Sequence, residues 1–195
     1  MKTTVSALYD NRTDAVNAVR ALVDRGILRD DISVVASDAA GEYTEYHGQD
    51  LPADDTLGGA AAGAMVGGVG GLLVGLAALA IPGIGPVIAA GPIAAAIAGA
   101  GIGAATGGII GALVDLGVDE DRADYYAEGV RRGGTLVTVR ADESVIDDVA
   151  DILDDYDPVD LESRVDRWRE EGWTTYDPDA DPYTVEQIRR ERVRY

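Results

Sequence analysis

Few side chains in this 195-residue sequence have the chemistry that catalysis needs. The single histidine, His47, lies in a polar, tyrosine-rich stretch, where we expect it to face solvent. The absence of cysteine excludes disulfides, thiolate metal sites and cysteine nucleophiles. With one histidine so placed, neither a Ser-His-Asp triad nor a histidine-based metal site can be assembled. The sequence therefore predicts a protein that is not an enzyme and that carries neither a metal nor a cofactor.

One group of carboxylates resembles the start of a calcium-binding loop. Asp177, Asp179 and Asp181 have the spacing of its first three ligands. The sixth position of such a loop needs glycine but holds Pro182, and the twelfth needs a bidentate glutamate but holds Ile188. We therefore expect this segment to be a solvated acidic turn.

Two glycine-rich stretches resemble phosphate-binding loops. The first is Gly67-Gly68-Val69-Gly70-Gly71 and the second is Gly99-x-Gly101-x-x-Ala104. Neither follows a predicted strand in a β-α-β unit, and the only lysine is Lys2, so the lysine of a Walker motif is missing. These glycines belong instead to two longer series of small residues.

Small residues recur at every fourth position in both series. The positions are Gly59, Gly63, Gly67, Gly71 and Gly75 in the first series, and Gly91, Ala95, Gly99, Gly103, Gly107 and Gly111 in the second. This spacing places them on one face of each of two predicted helices. Another backbone can approach such a face closely, as in small-xxx-small helix pairs. We predict that these residues mediate self-association.

Residues 57–114 contain no charged side chain and are predicted to form a helical hairpin. Pro82 is expected to end the first helix and Pro86 to start the second, which gives helices over 57–81 and 87–114. Their fifteen glycines cost about 1 kcal/mol each relative to alanine. Such helices need close packing or a low-dielectric environment, and each exceeds the roughly 20 residues that span a bilayer.

The sequence around the hairpin predicts an α+β domain. Strands are expected at residues 3–9, 31–37, 135–140 and 158–164, with a helix after the first and after the third. Without the hairpin the order is β-α-β-β-α-β, the ferredoxin-like pattern, which a hairpin inserted at a loop would split. The predicted units are residues 1–56 (first half and linker), 57–116 (hairpin), 117–164 (second half) and 165–195 (an arm containing Trp168, Trp173 and many arginines).

Charge narrows the range of partners. The net charge of −19 argues against nucleic acid, which needs a cationic face, and against electrostatic docking to anionic lipid.

A further predicted helix, residues 120–132, carries Tyr125, Tyr126, Arg131 and Arg132. We interpret its tyrosines as packing residues and its arginines as cations at the negative end of the helix dipole, in preference to a ligand site.

Three stretches of the sequence resemble a known bacterial family. They are Gly91-Pro92-Ile93-Ala94-Ala95-Ala96-Ile97-Ala98-Gly99, then Gly117-Val118-Asp119-Glu120-Asp121-Arg122-Ala123-Asp124-Tyr125-Tyr126, and finally Trp168-Arg169-Glu170-Glu171-Gly172-Trp173. The chain resembles the general stress proteins, also described as heat- or low-temperature-induced stress proteins, from about residue 3 to about residue 163, and the third stretch resembles a later element that members often carry. The resemblance implies a stress-linked, non-enzymatic role and supplies no site residues.

Three hypotheses about function follow. The first is a non-catalytic stress protein that forms homo-oligomers through the hairpin and inserts in or attaches to a lipid bilayer, at the cytoplasmic face of the inner membrane. The second is a cytoplasmic homo-oligomer or shell with the hairpins packed in its core, which the acidic flanks Asp54, Asp55 and Asp115 favour. The third is a small-ligand sensor on the ferredoxin-like domain. We place the first hypothesis ahead of the second.

Overall fold

The computed structural model describes residues 2–39, 77–99 and 108–194. Its strands are β1 (Lys2–Tyr9), β2 (Ile32–Ser37), β3 (Ala77–Ile81), β4 (Gly85–Ala90) and β5 (Thr135–Asp142). They form one antiparallel sheet in the order β1-β5-β2-β4-β3. The two strands β1 and β2 therefore flank β5, and the β3–β4 hairpin extends the sheet beyond β2.

The described part of the chain contains seven α-helices. They are α1 (Arg12–Asp24), α2 (Gly91–Gly99), α3 (Gly108–Asp115), α4 (Glu120–Arg131), α5 (Ile146–Asp154), α6 (Leu161–Glu170) and α7 (Val185–Arg194). Helix α1 begins where the side chain of Asn11 accepts a hydrogen bond from the backbone N–H of Thr13. One antiparallel sheet with separate helices confirms the predicted α+β class.

Helices cover both faces of the sheet. Neighbouring residues of a strand point to opposite faces, so Leu8 and Leu136 lie on one side and Tyr9 and Val137 on the other. The first side packs against α2, α3, α4 and α6, with the fully buried Trp168 among them. The second side packs against α1 and α5. The uncharged segment and the C-terminal arm thus share one core.

The prediction of a helical hairpin is wrong for residues 77–90. The turn occurs where Pro82 predicts it, but it joins strands β3 and β4 in place of two helices. Short apolar runs fit a strand as well as a helix, and here β4 pairs with β2 and buries Val87 and Ala89. In the rest of the predicted hairpin, residues 91–99 and 108–114 are helical, and residues 57–76 and 100–107 lie outside the described residues.

The predicted fourth strand, residues 158–164, is also wrong. Asp160 caps helix α6 by accepting hydrogen bonds from the backbone N–H and the hydroxyl of Ser163, and Leu161 already belongs to the helix. The apolar alternation of Val159 and Leu161 is too short to decide between strand and helix. Burial of Leu161, Val165 and Trp168 along one helical face favours the helix.

Candidate functional site

Helix α2 is apolar around its whole circumference and yet is partly exposed. Ile93 and Ala94 are buried in the core, whereas Ala95, Ala96 and Ala98 face solvent. A surface helix normally carries polar or charged residues on its outer face, and a helix that is apolar all round is normally buried. The exposed face of α2 is therefore an apolar surface that no other described segment covers, on a chain that is otherwise rich in charge.

The start of α2 is fixed by a close backbone contact. Gly91 has a φ of +78°, and a Cβ added there would lie 2.1 Å from the carbonyl oxygen of Ile32 in β2. The backbone N–H of Ile93 donates to the hydroxyl of Ser33 at 3.2 Å, which satisfies one free N–H of the first turn. These contacts with β2 hold α2 against the sheet and determine which of its faces is exposed.

Four of the eleven predicted self-association positions can be located. Gly91 approaches a strand, Ala95 is exposed on α2, and Gly99 ends that helix. Gly111 lies in α3, where an added Cβ would meet nothing within 4 Å, so no backbone of the described segments packs closely against it. The remaining positions, Gly59, Gly63, Gly67, Gly71, Gly75, Gly103 and Gly107, lie outside the described residues.

The C-terminal arm crosses helix α4 and packs on it through aromatic rings. The rings of Trp168 and Trp173 meet edge to face at 5.7 Å between centroids, and Trp173 meets Tyr125 of α4 at 5.9 Å. Arg169 donates to the hydroxyl of Tyr125 at 2.7 Å. Further along, Asp124 accepts a hydrogen bond from the backbone N–H of Tyr176 at 3.0 Å. Edge-to-face pairs of this kind stabilise a fold beyond the area they bury.

A buried charge cluster joins the end of α4 to the arm. The carboxylate of Glu128, fully buried, accepts from Arg132 at 2.6 Å and from Arg131 at 3.3 Å. Arg132 also pairs with Glu191 of α7 at 3.2 Å and lies 4.7 Å from the ring centroid of Trp168. A buried carboxylate needs such partners, since an unpaired charge in the core is strongly unfavourable.

The same cluster reaches the β3–β4 turn. Arg131 donates to the backbone carbonyl oxygens of Gly83 and Asp181, both at 3.0 Å. The hydroxyl of Tyr176 donates to the carbonyl oxygen of Pro82. A Cβ on Gly83 would lie 2.6 Å from the carbonyl oxygen of Asp177, so the arm and the turn touch backbone to backbone. The arm therefore holds the β3–β4 hairpin against α4.

Burial and charge shift the proton affinities of this region. Burial raises the pKa of Tyr176 to about 12, and it also raises the pKa of Tyr183. Burial alone would lower the pKa of Arg132, but the hydrogen bond and charge of Glu128 outweigh it and raise that pKa. Arg132 is thus held in its charged form, as an ion pair with Glu128 requires.

Sequence reasoning placed Arg131 and Arg132 at a helix end and missed their partner. The spacing of Glu128 to these arginines, three and four residues, is a recognised signal for ion pairs on a helix. Tyr126 packs as predicted, with its hydroxyl donating to the carbonyl oxygen of Ser6. What the spacing does not reveal is that Glu128 is buried and that both arginines also contact the arm.

A metal-binding group and a membrane-spanning helix are both absent from the described residues. The described residues contain no group of side chains able to hold a metal ion, and Asp177 accepts a hydrogen bond from the backbone N–H of Asp179 in an exposed turn. Within the same residues, no helix has the length and hydropathy to cross a membrane. Comparison with protein-family models, curated proteins and solved structures finds no match to the chain.

Proposed function

We propose that this protein is a non-catalytic protein that assembles with copies of itself through its uncharged segment. The observation that carries the proposal is the exposed face of α2, formed by Ala95, Ala96 and Ala98. An apolar helix face left in contact with water is the usual mark of an interaction surface. Ala95 is also one of the small residues whose spacing predicts self-association.

Electrostatics favours contact at this surface. Two copies that each carry a net charge of −19 repel one another at long range. Association therefore has to bury a surface without carboxylates, and residues 57–114 offer 58 consecutive uncharged positions. A second copy can cover the α2 face without placing a charge in a low-dielectric contact.

The family and the finer fold are part of the proposal. The resemblance to general stress proteins supports a role under stress. A ferredoxin-like sheet is supported by the position of β5, antiparallel between β1 and β2. The backbone N–H of Val159 donates to the carbonyl oxygen of Leu8 at 2.7 Å, at the strand beside which the fourth strand of that fold would pair. In this proposal that strand is reduced to a single contact.

The test is the mass of the protein by light scattering over a range of concentrations, with and without mild detergent. The Ala96→Glu variant places a carboxylate on the exposed face of α2, and we expect it to weaken association at least tenfold, about 1.4 kcal/mol. Thr13→Glu is the matched control, because Thr13 is exposed on α1, on the other side of the sheet. This control should assemble like the parent.

Three results would contradict the proposal. The parent could stay monomeric at every concentration, or Ala96→Glu could assemble as well as Thr13→Glu. The third concerns the bilayer hypothesis. If the parent is monomeric in buffer but sediments with lipid vesicles, its uncharged surface binds lipid, and the proposal of self-assembly is wrong.

A further inference from the structure

Strand β3 is an edge strand whose outer backbone groups can be identified. The backbone N–H of Asp38 donates to the carbonyl oxygen of Pro86 at 2.8 Å, so the backbone groups of Pro86 point away from β3. Ala80 lies opposite Pro86, which makes this a pair without mutual hydrogen bonds. The N–H and C=O of Ala80, and those of Ala78 two residues earlier, therefore point outward from the sheet.

Within the described part of the chain, this edge carries none of the usual protection against pairing. Edge strands of natural sheets commonly carry a charged side chain, a proline or a bulge that prevents contact with another strand. The residues of β3, Ala77–Ile81, include no charge and no proline, and their register with β4 is continuous. The side chain of Ala80 is exposed and small, and no described segment lies along the outer edge of β3.

We infer that β3 pairs antiparallel with β3 of a second copy, so that two five-stranded sheets become one continuous sheet. The occupant is a second copy because the edge is self-complementary. With a two-fold axis at Leu79, Ala78 of one copy faces Ala80 of the other, and each pair exchanges N–H···O=C hydrogen bonds in both directions. A partner strand must also approach a protein with a net charge of −19. The residues of β3 are uncharged, so they add no carboxylate to that approach.

This inference rests on the proposed self-assembly and specifies its geometry. In the sequence-based hypothesis, glycine-lined helices pack on one another, and their side-chain-free faces make the contact. In the inferred dimer, backbone hydrogen bonds of β3 make the contact, whereas the exposed alanines of α2 belong to a helix that starts against β2. The two geometries respond differently to a change that removes a single backbone N–H.

Ala80→Pro removes the outward N–H of Ala80. It breaks no hydrogen bond between β3 and β4, because that N–H points away from β4. The matched control is Ala80→Thr, which retains the N–H and suits a strand. We expect Ala80→Pro to weaken association at least tenfold by light scattering, and Ala80→Thr to assemble like the parent. Circular dichroism and the thermal midpoint establish that both variants are folded.

Amide hydrogen exchange of the parent provides a second measurement that needs no variant. The N–H groups of Ala78 and Ala80 should exchange slowly at concentrations where the protein is assembled, and much faster after dilution to monomer. If the parent assembles but these amides exchange equally fast in both states, or if Ala80→Pro assembles like Ala80→Thr, edge pairing is wrong and self-assembly by another surface stands. If the parent never assembles, the proposed function itself fails.

Discussion

Replacing Gly91 by alanine should destabilise the protein, although the same change inside a helix normally stabilises it. Gly91 has a φ of +78°, a conformation that costs a residue with a side chain about 1–2 kcal/mol. The added Cβ would lie 2.1 Å from the carbonyl oxygen of Ile32. This oxygen is a backbone atom of β2 and can move only with its strand, and overpacking of that kind costs about 1–3 kcal/mol.

The two contributions add to a loss of about 2–5 kcal/mol in the free energy of unfolding. In a protein of 195 residues this lowers the thermal midpoint by roughly 4–20 °C. Calorimetry or circular dichroism at a fixed protein concentration measures the change. Concentration has to be matched between variants because self-assembly shifts the midpoint by mass action.

Gly111→Ala is the matched control. Gly111 lies inside α3, its φ is not in the left-handed region, and an added Cβ meets nothing within 4 Å. Helix propensity then predicts a gain of about 0.5–1 kcal/mol. If residues 87–114 formed one continuous helix, both variants would be more stable than the parent. A rise of the midpoint for Gly91→Ala would therefore refute the strand–turn–helix arrangement around this residue.

Two further predictions concern the contact between the arm and α4. Glu128→Gln removes the buried carboxylate that neutralises Arg131 and Arg132, and should lower the free energy of unfolding in urea by about 3 kcal/mol. The control Glu186→Gln, on the exposed side of α7, should change the free energy of unfolding by less than about 0.5 kcal/mol. The pKa of Tyr176, about 12, is higher than the value of about 10 in an unfolded chain. The folded protein thus keeps a proton that the unfolded chain releases, and stability should fall as the pH rises from about 10 through about 12.

Each of these two predictions has a result that would contradict it. Equal stability of Glu128→Gln and Glu186→Gln would mean that the buried carboxylate does not hold the arm. For the tyrosine, Tyr176→Phe should lose part of the decline in unfolding free energy between pH 10 and 12, measured against the parent under the same conditions. A variant with an unchanged decline would assign the alkaline loss of stability to other groups.

The candidate site was predictable in part. The uncharged stretch and its four-residue spacing of small residues predict that residues 57–114 are an interaction segment, and the structure places one of these small residues, Ala95, on the exposed face of α2. The burial of Glu128 could not be predicted, because its partner Arg132 is held by Glu191 and Trp168, which belong to the arm. Pair spacing within a helix is local information, whereas burial depends on which distant segment packs against it.

By itself, the sequence determined the elements with strong local signals. These are helix α1, strands β1, β2 and β5, helix α4, and the position of the turn at Pro82. It did not determine what that turn connects, since 77–81 and 85–90 are short apolar runs that suit a helix or a strand. The tertiary structure decided for strands, because β4 can pair with β2 and bury Val87 and Ala89 in the core. Hydrogen bonding to a neighbouring strand is non-local, and no pattern within the segment encodes it.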